Sequence, residues 1–311
     1  EIRKCLSCGE CLYVRGGAFN YPQSCAVNAV FGREKDWTDI EPAPEEKKVM
    51  VIGGGPAGME AARVASLRGH CVSLYEKGDA LGGQLLLASK PPGKKRMLWL
   101  KDYLANQITK QGVNIKFGVE VTQELIAAEN PDKIIMATGA IPKQSDIPGN
   151  ETNNVVLAWD VLLGEVPLKN QKVAVIGGSM LACETAELIA SWGNEVAVVK
   201  MRPGSYMAED CEPTNRRGIM EFMQEHKVRE ITDHKLDKIT STGVDLINNE
   251  SGKAVFVEAE VIVLALGSAP VRGLADALEK KEIPFAMIGD CTKPKNIKQA
   301  IYQGALIGRQ I

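Results

Sequence analysis

Two groups of residues in this chain have the types and the spacing for chemistry. Cys5, Cys8, Cys11 and Cys25 crowd into the first twenty-five residues in the pattern C-x2-C-x2-C-x13-C. An iron–sulfur cube needs four converging thiolates, and a tight run of three with a distant fourth supplies them. A zinc ion with four cysteine ligands is the rival, usually drawn from two separated pairs, and an inert reduced loop is the blandest reading. The second group is the G-x-G-x-x-G of Gly53, Gly55 and Gly58, with Glu76 following 23 residues after Gly53. Gly53 permits a tight turn, Gly55 lets a pyrophosphate approach the backbone, and Gly58 lets a helix pack close to a strand. The helix N-terminus adds N–H donors, and the Glu76 carboxylate can accept from an adenosine ribose. Strand, helix and acid are all in place, so a dinucleotide site is favoured over a purely structural glycine turn.

A second glycine loop, Gly177-Gly-Ser179-Met-Leu-Ala182, is altered. Ala182 is a tolerated third position, but the Ser179 side chain intrudes where the second glycine admits phosphate. Lys200 stands where Glu76 stands in the first copy, with Arg202 two residues on. Three readings compete: an NADPH site whose cations pair with the 2′-phosphate, an NADH site that manages without the acid, and a vestigial site. A basic residue at this strand end favours the first. Other reactive types carry less. Cys71, Cys183, Cys211 and Cys291 are scattered singly and read as small buried hydrophobes. His70, His226 and His234 have no nucleophile or metal partner nearby in sequence, and Lys94-Lys-Arg96 reads as a solvated loop. No C-x-x-C lies in the second nucleotide region or just after the first glycine motif, so no dithiol for disulfide reduction is expected. No side chain stands out as a catalytic acid or base.

The elements that must position these residues repeat. Lys48-Val-Met-Val-Ile-Gly53 and Lys172-Val-Ala-Val-Ile-Gly177 are related by an offset of 124 (48 to 172), and the register holds through Glu60 and Glu184, Gly69 and Gly193, and Val72 and Val196. Each copy is an apolar run, a glycine turn, an amphipathic helix, a glycine stop and a second apolar run. That is a βαβ unit, so two dinucleotide-binding domains with parallel sheets are expected. Glu41-Pro-Ala-Pro-Glu-Glu46 is a polar spacer before the first strand. Ile134 to Gly139 and Val261 to Gly267 are strands running into tight turns, each followed by proline, and read as crossings between domains. The expected division is a cysteine segment and linker over 1–45, a first domain over 46–155 plus 268–311, and a second domain over 156–267 inserted in it.

Composition bounds the rest. With 311 residues, 45% of them hydrophobic, the chain can build two cores. With 37 basic and 39 acidic residues, the net charge of −2 leaves no electrostatic footprint for nucleic acid or for an anionic membrane. No apolar run approaches the ~18 residues that span a bilayer. Residue 1 is Glu with no secretory segment after it, so the chain reads as cytoplasmic and as a piece of a longer protein or a processed one.

Glu1-Ile-Arg-Lys-Cys5-Leu-Ser-Cys8, Ser24-Cys25-Ala-Val-Asn28 and Gly32-Arg-Glu34 resemble the linker of the iron–sulfur flavoproteins related to old yellow enzyme, and the resemblance covers the whole chain. These include 2,4-dienoyl-CoA reductase, 2-enoate reductase, and the trimethylamine and histamine dehydrogenases. The resemblance implies an α/β fold of glutathione-reductase type: two Rossmann-like domains, one inserted in the other, preceded by a short iron–sulfur segment. It implies FAD in the first domain, or ADP in its place as in the amine dehydrogenases of the family. Leu81-Gly-Gly83-Gln84-Leu85 resembles that family's second loop near the flavin pyrophosphate. Ala137-Thr138-Gly139 resembles its domain-crossing turn, and Ile288-Gly-Asp290 resembles the motif whose Asp holds the ribityl hydroxyls. It further implies a 4Fe-4S cluster on Cys5, Cys8, Cys11 and Cys25, NAD(P)H at the second domain, and an FMN-containing TIM barrel as partner, in the same protein or a separate subunit. Two features depart from the pattern. The third cysteine comes one residue early, and this chain starts just after the point where the barrel would end. The expected function is an electron-transfer module from NAD(P)H through FAD and the cluster to the barrel flavin. The alternatives are a free-standing diaphorase subunit and a non-catalytic ADP-binding scaffold.

Overall fold

The computed structural model describes residues 2–11, 23–202 and 206–311. Glu1, the first residue of the N-terminal motif, lies outside the described residues. The chain divides into two compact units. One comprises residues 1–89, 96–141 and 269–311, and the other residues 90–95 and 142–268.

The first unit is built on a parallel sheet. Its strands are β1 (Lys48–Ile52), β2 (Cys71–Glu76), β3 (Asn114–Phe117), β4 (Lys133–Met136) and β15 (Ala286–Met287), in the order β15-β4-β1-β2-β3. β1 lies between β4 and β2 and is buried at four of its five positions, which is why it reads as a continuous apolar run. Helix α2 (Pro56–Leu67) follows β1 after a glycine turn, with Pro56 at its first position, where the missing N–H costs nothing. The remaining helices are α1 (Glu34–Trp37), α3 (Gln84–Ala88), α4 (Met97–Lys110), α5 (Gln123–Glu129), α9 (Gly273–Glu279) and α10 (Ile297–Gln310). α10 closes on α2 through its small residues. A Cβ on Gly304 would lie 2.5 Å from the Ala57 carbonyl oxygen, and one on Gly308 would lie 2.7 Å from the Val64 Cβ. The core of this face joins Val49, Val51, Met59 and Leu74 to Ile301 and Ala305, and it also takes in Leu6, Ala26 and Val27 of the cysteine segment.

The chain leaves this unit through β5 (Ala140–Pro142) and returns through β14 (Ser268–Pro270). Between them β6 (Val155–Leu157), β7 (Lys172–Ile176), β8 (Glu195–Lys200), β9 (Arg229–Thr232) and β13 (Val261–Leu264) form a second five-stranded sheet, ordered β6-β13-β7-β8-β9. Four positions repeat the first sheet (β13, β7, β8 and β9 for β4, β1, β2 and β3), but the edge strand β6 comes first in its unit whereas β15 comes last in the other. β7, helix α7 (Met180–Ser191) and β8 stand 124 residues (48 to 172) from β1, α2 and β2, with identical lengths. α6 (Ala158–Leu163) and α8 (Pro213–Glu225) flank α7. The sequence reading did not contain an antiparallel sheet of β10 (His234–Thr240), β11 (Gly243–Asn248) and β12 (Ala254–Glu258), which covers the other face of the second unit.

Candidate cofactor sites

The first glycine loop is shaped by contacts that exclude side chains at two positions and leave a third open. Gly53 has φ +112°, and a Cβ there would lie 2.3 Å from the Ala137 carbonyl oxygen. A Cβ on Gly58 would lie 2.0 Å from the Gly53 carbonyl oxygen. At Gly55 nothing lies within 4 Å of the same position, so space is open beside the N-terminus of α2. The Glu76 carboxylate clamps this loop: Oε2 accepts from Gly54 N–H at 2.8 Å and Oε1 from Gly78 N–H at 2.8 Å. A carboxylate has about four acceptor positions, so capacity for ribose hydroxyls remains.

Three distant segments meet this loop within the same unit. Gly82 N–H donates to the Gly54 carbonyl at 2.9 Å, and a Cβ on Gly83 would lie 3.2 Å from the Gly55 Cα. Gln84 Nε2 donates to Asp290 Oδ2 at 2.9 Å across 206 positions of chain, and Lys295 N–H donates to the other oxygen at 3.0 Å. Gly289, at φ +72°, places its hypothetical Cβ 2.9 Å from Ala57 Cβ at the start of α2. Thr138 Oγ1 donates to the Val271 carbonyl at 2.8 Å, and Gly139 turns with φ +71°. The residues read separately along the sequence (Gly53, Gly55, Gly58, Glu76, Gly83, Gln84 and Asp290) thus line one end of one sheet, as the crevice rule for open α/β sheets requires.

The second loop keeps the turn but spends its polar groups internally. Gly177, at φ +136°, would place a Cβ 2.4 Å from the Ala265 carbonyl oxygen. Ser179 caps α7, its hydroxyl accepting from Ala182 N–H at 3.5 Å, so it is turned towards its own helix. Lys200 is buried, with Nζ 3.3 Å from the Gly178 carbonyl oxygen and 3.5 Å from Glu209 Oε1. It props the glycine loop from below, as Glu76 does in the first copy, with the hydrogen bond reversed. Arg202 is the exposed cation at this strand tip, paired with Glu209 at 2.6 Å.

Sequence reading missed Glu209 and Asp210. Ala208 N–H donates to the Gly178 carbonyl at 2.8 Å, the counterpart of the Gly82 bond. The repeat therefore resumes at an offset of 126 (82 to 208), and Glu209 and Asp210 fall where the first copy has Gly83 and Gln84. Asp210 Oδ1 accepts from Met180 N–H at 2.7 Å, at the N-terminus of α7. The signal was present as a two-residue shift, but only the backbone bond reveals the new register.

Three other expectations change. Cys71 is exposed rather than buried, because the first position of β2 faces outward. Cys183 and Cys211 are buried, and burial pushes their thiols up to about 12 and about 11, so both stay protonated. Lys94 is not simply solvated: its ammonium lies 2.7 Å from the buried Glu184. Burial pushes Glu187, one turn on, up to about 7, with the Glu184 charge adding to it and Lys94 opposing.

The cysteine segment packs on the first unit through Leu6, Cys8, Cys25 and Val27. Burial pushes the Cys8 thiol up, and the nearby charges of Cys25, Glu10 and Cys5 add to it against the Glu10 N–H, so these three thiols share one neighbourhood. Among the described residues no three His, Cys, Asp or Glu side chains close on a point as ligands of a single ion do. A cube of four irons takes its thiolates at wider spacing than one ion does, and the exposed Cys5 with the half-buried Cys8, Cys11 and Cys25 are the donors it would need.

Residues 47–286 match the model of the pyridine nucleotide-disulphide oxidoreductase family. The chain belongs to this family. Its sequence is 42% identical over 317 residues to the NADH oxidase of Thermoanaerobacter brockii, covering 100% of this chain and 48% of that protein. A solved 2-naphthoyl-CoA reductase complex superposes with a TM-score of 0.88 at 35% identity, covering 93% of this chain and 44% of the other. Lactococcus lactis thioredoxin reductase shares the fold at a TM-score of 0.66 and 22% identity, covering 85% of this chain and 97% of the other. The kinship with flavoprotein reductases related to old yellow enzyme and the glutathione-reductase type of fold are thereby borne out. The chain spans about half the length of the curated relatives it matches. The family is one of oxidoreductases, and it supports FAD and NAD(P)H as cofactors. No helix among the described residues is long and apolar enough to cross a membrane.

Proposed function

We propose that the chain is an electron-transfer module that carries reducing equivalents from NAD(P)H through FAD to a 4Fe-4S cluster, and on to an FMN-containing barrel domain that this chain does not include. The observation that carries this reading is the bond between Gln84 and Asp290 beside the open face of Gly55. An adenine nucleotide alone needs Glu76 and the glycine loop. In this reading the Asp290 carboxylate and the Gln84 amide serve the longer polyol chain of a flavin, beyond what an adenine nucleotide requires.

In this reading Gly55 and the α2 N-terminus receive the pyrophosphate, Gly83 lets the second loop approach it, and Glu76 accepts from the adenosine ribose. Asp290 accepts from ribityl hydroxyls, with Gln84 and Lys295 N–H fixing its orientation. Thr138 and Gly139 hold the crossing strand at the end of the site. Gly177 and Ala182 shape the coenzyme loop, Ser179 caps its helix, and Lys200 supports it from below. Arg202 is the group placed to meet a 2′-phosphate. Cys5, Cys8, Cys11 and Cys25 hold the cluster. Bound flavin supplies the junction chemistry, taking an electron pair as hydride and releasing electrons singly, while the protein supplies position and electrostatics. Direct hydride transfer requires no side-chain acid or base.

A second reading is favoured by one observation. Ser179, Lys200 and Asp210 satisfy the second glycine loop internally, which suits a unit that takes no dinucleotide and a first site that holds ADP as a structural ligand. The visible spectrum of the purified protein, followed by anaerobic addition of NADH or NADPH, separates the two. Bound flavin that bleaches with either coenzyme supports the module. A protein that carries ADP and has no flavin absorbance supports the scaffold.

A further inference from the structure

The first unit contains a cavity of about 330 Å³ between the segment that follows Cys25 and helices α2, α4 and α10, away from the glycine loop. Its lining includes Arg3, Arg63 and Arg309, and Glu60 is its one carboxylate among the described residues. Glu60 is almost wholly committed. Arg63 Nε and Nη2 donate to its two oxygens at 2.9 and 2.7 Å, in the forked geometry that pairs one guanidinium with one carboxylate. Arg3 stands farther off, with Nη2 3.6 Å from the same group. Among the described residues Arg309 has no carboxylate partner. Its terminal nitrogens donate to the backbone carbonyls of Asp39 and Trp37, which neutralise no charge. Its Nε is buried without a hydrogen-bond partner among the described residues. Burial pulls the Arg309 guanidinium below its ordinary range, Arg63 and Arg68 add to this, and Glu60 opposes.

Buried charges are ordinarily paired, and a buried donor left unmade is costly. Here the described lining sets three guanidinium charges against one carboxylate, and Arg3 and Arg309 are part-buried, their charge offset by carbonyls, aromatic faces and the more distant Glu60. The neutral groups around them are donors as well. The Tyr103 hydroxyl accepts from Arg3 Nη2 at 3.3 Å, which leaves its proton free to donate. Asn28 Oδ1 accepts from Val30 N–H at 3.2 Å, which leaves the Asn28 amide N–H groups free. Guanidinium, phenol and amide donors with a net positive charge form the complement of an oxyanion.

We propose that this cavity binds a small oxyanion, of the class that inorganic phosphate represents, with Arg3 and Arg309 supplying the charge and Tyr103 and Asn28 the free donors. The bound anion would tie the segment carrying Asn28 and the two carbonyls held by Arg309 to α2 and α10. It would therefore link occupancy to the seating of the cysteine segment.

Calorimetric titration of the full chain with inorganic phosphate, in chloride buffer with excess ADP to fill the glycine loop, tests the proposal. Saturable binding of one phosphate per chain at this site is expected. Arg309→Gln should weaken it roughly ten- to a hundredfold, the effect of losing a charge-assisted bond. Tyr103→Phe, which removes one hydroxyl and leaves the packing, should weaken it by about three- to tenfold and guards against misfolding of the arginine variant. Phosphate bound at a glycine loop would respond to neither change. No saturable heat, or parent-like binding in Tyr103→Phe and in a folded Arg309→Gln, would overturn the assignment.

Discussion

Asp290 is the residue on which the flavin reading turns. Its carboxylate accepts from Gln84 and from Lys295 N–H, so its orientation is fixed before any ligand arrives. Asp290→Ala should weaken FAD by roughly ten- to a hundredfold and leave ADP within about threefold, measured by equilibrium titration of the apoprotein. Equal loss for both ligands would place the residue elsewhere. Lys200 and Arg202 should behave differently from each other. Lys200→Ala removes one of the two donors to the Gly178 carbonyl, a partner of Glu209 and a buried side chain under the loop, so it should cost ~1–3 kcal/mol in chemical unfolding. Arg202→Ala, with its side chain 74% exposed, should leave stability nearly unchanged and weaken NADPH more than NADH. At this scale the sequence was most legible where one residue type is obligatory, as at Gly53 and Gly58, and where an acid ends a strand. It was least legible at Glu209 and Asp210, whose roles depend on a register set by the Ala208 backbone bond. Lys200 misled because a strand-end position does not say whether the side chain points to solvent or folds under its own loop.

Among the elements, the two glycine-loop units were plain in the sequence. β1, α2 and β2 recur as β7, α7 and β8 because the same burial on both sides of a central strand demands the same apolar run. The unread antiparallel sheet has a different cause. In β10 only Leu236 and Ile239 are buried, and Lys and Asp occupy much of the rest, so its apolar alternation is thin. Two glycines three positions apart should show how differently one element tolerates a methyl group. Gly55→Ala meets open space, so it should fold with a loss of about 1 kcal/mol or less, while dinucleotide affinity falls at least tenfold. Gly58→Ala drives a methyl into the Gly53 carbonyl and should lower the melting temperature before any ligand is added. If both variants lose stability equally, the space beside Gly55 is not open in solution. Helix α7 carries its own pH dependence. Glu187 is raised to about 7 in the folded chain, so that state holds its proton more tightly than the unfolded chain does. Its contribution is therefore present at low pH and lost as pH rises through about 7. Glu187→Gln should raise the melting temperature at pH ~8 and leave it unchanged near pH ~4, and a shift of the same size at both would exclude the burial of this carboxyl as the cause.

For the molecule as a whole, the cysteine segment makes the sharpest compositional claim. Protein purified without oxygen should contain about four iron and four acid-labile sulfides per chain, by the logic of a cube on four thiolates. Stoichiometric zinc without sulfide would sink it. The interrupted first unit also has a consequence for how the chain is made. Strand β15 and helix α10 belong to the first sheet and its α2 face, yet they lie beyond every residue of the inserted unit. During synthesis the inserted unit has all its strands by Leu264, while Ala57, Ala61 and Val64 still await the glycine stripe of α10. Synthesis therefore completes the inner domain before the outer one, and the dinucleotide crevice gains Asp290 only after the whole inserted unit has been made.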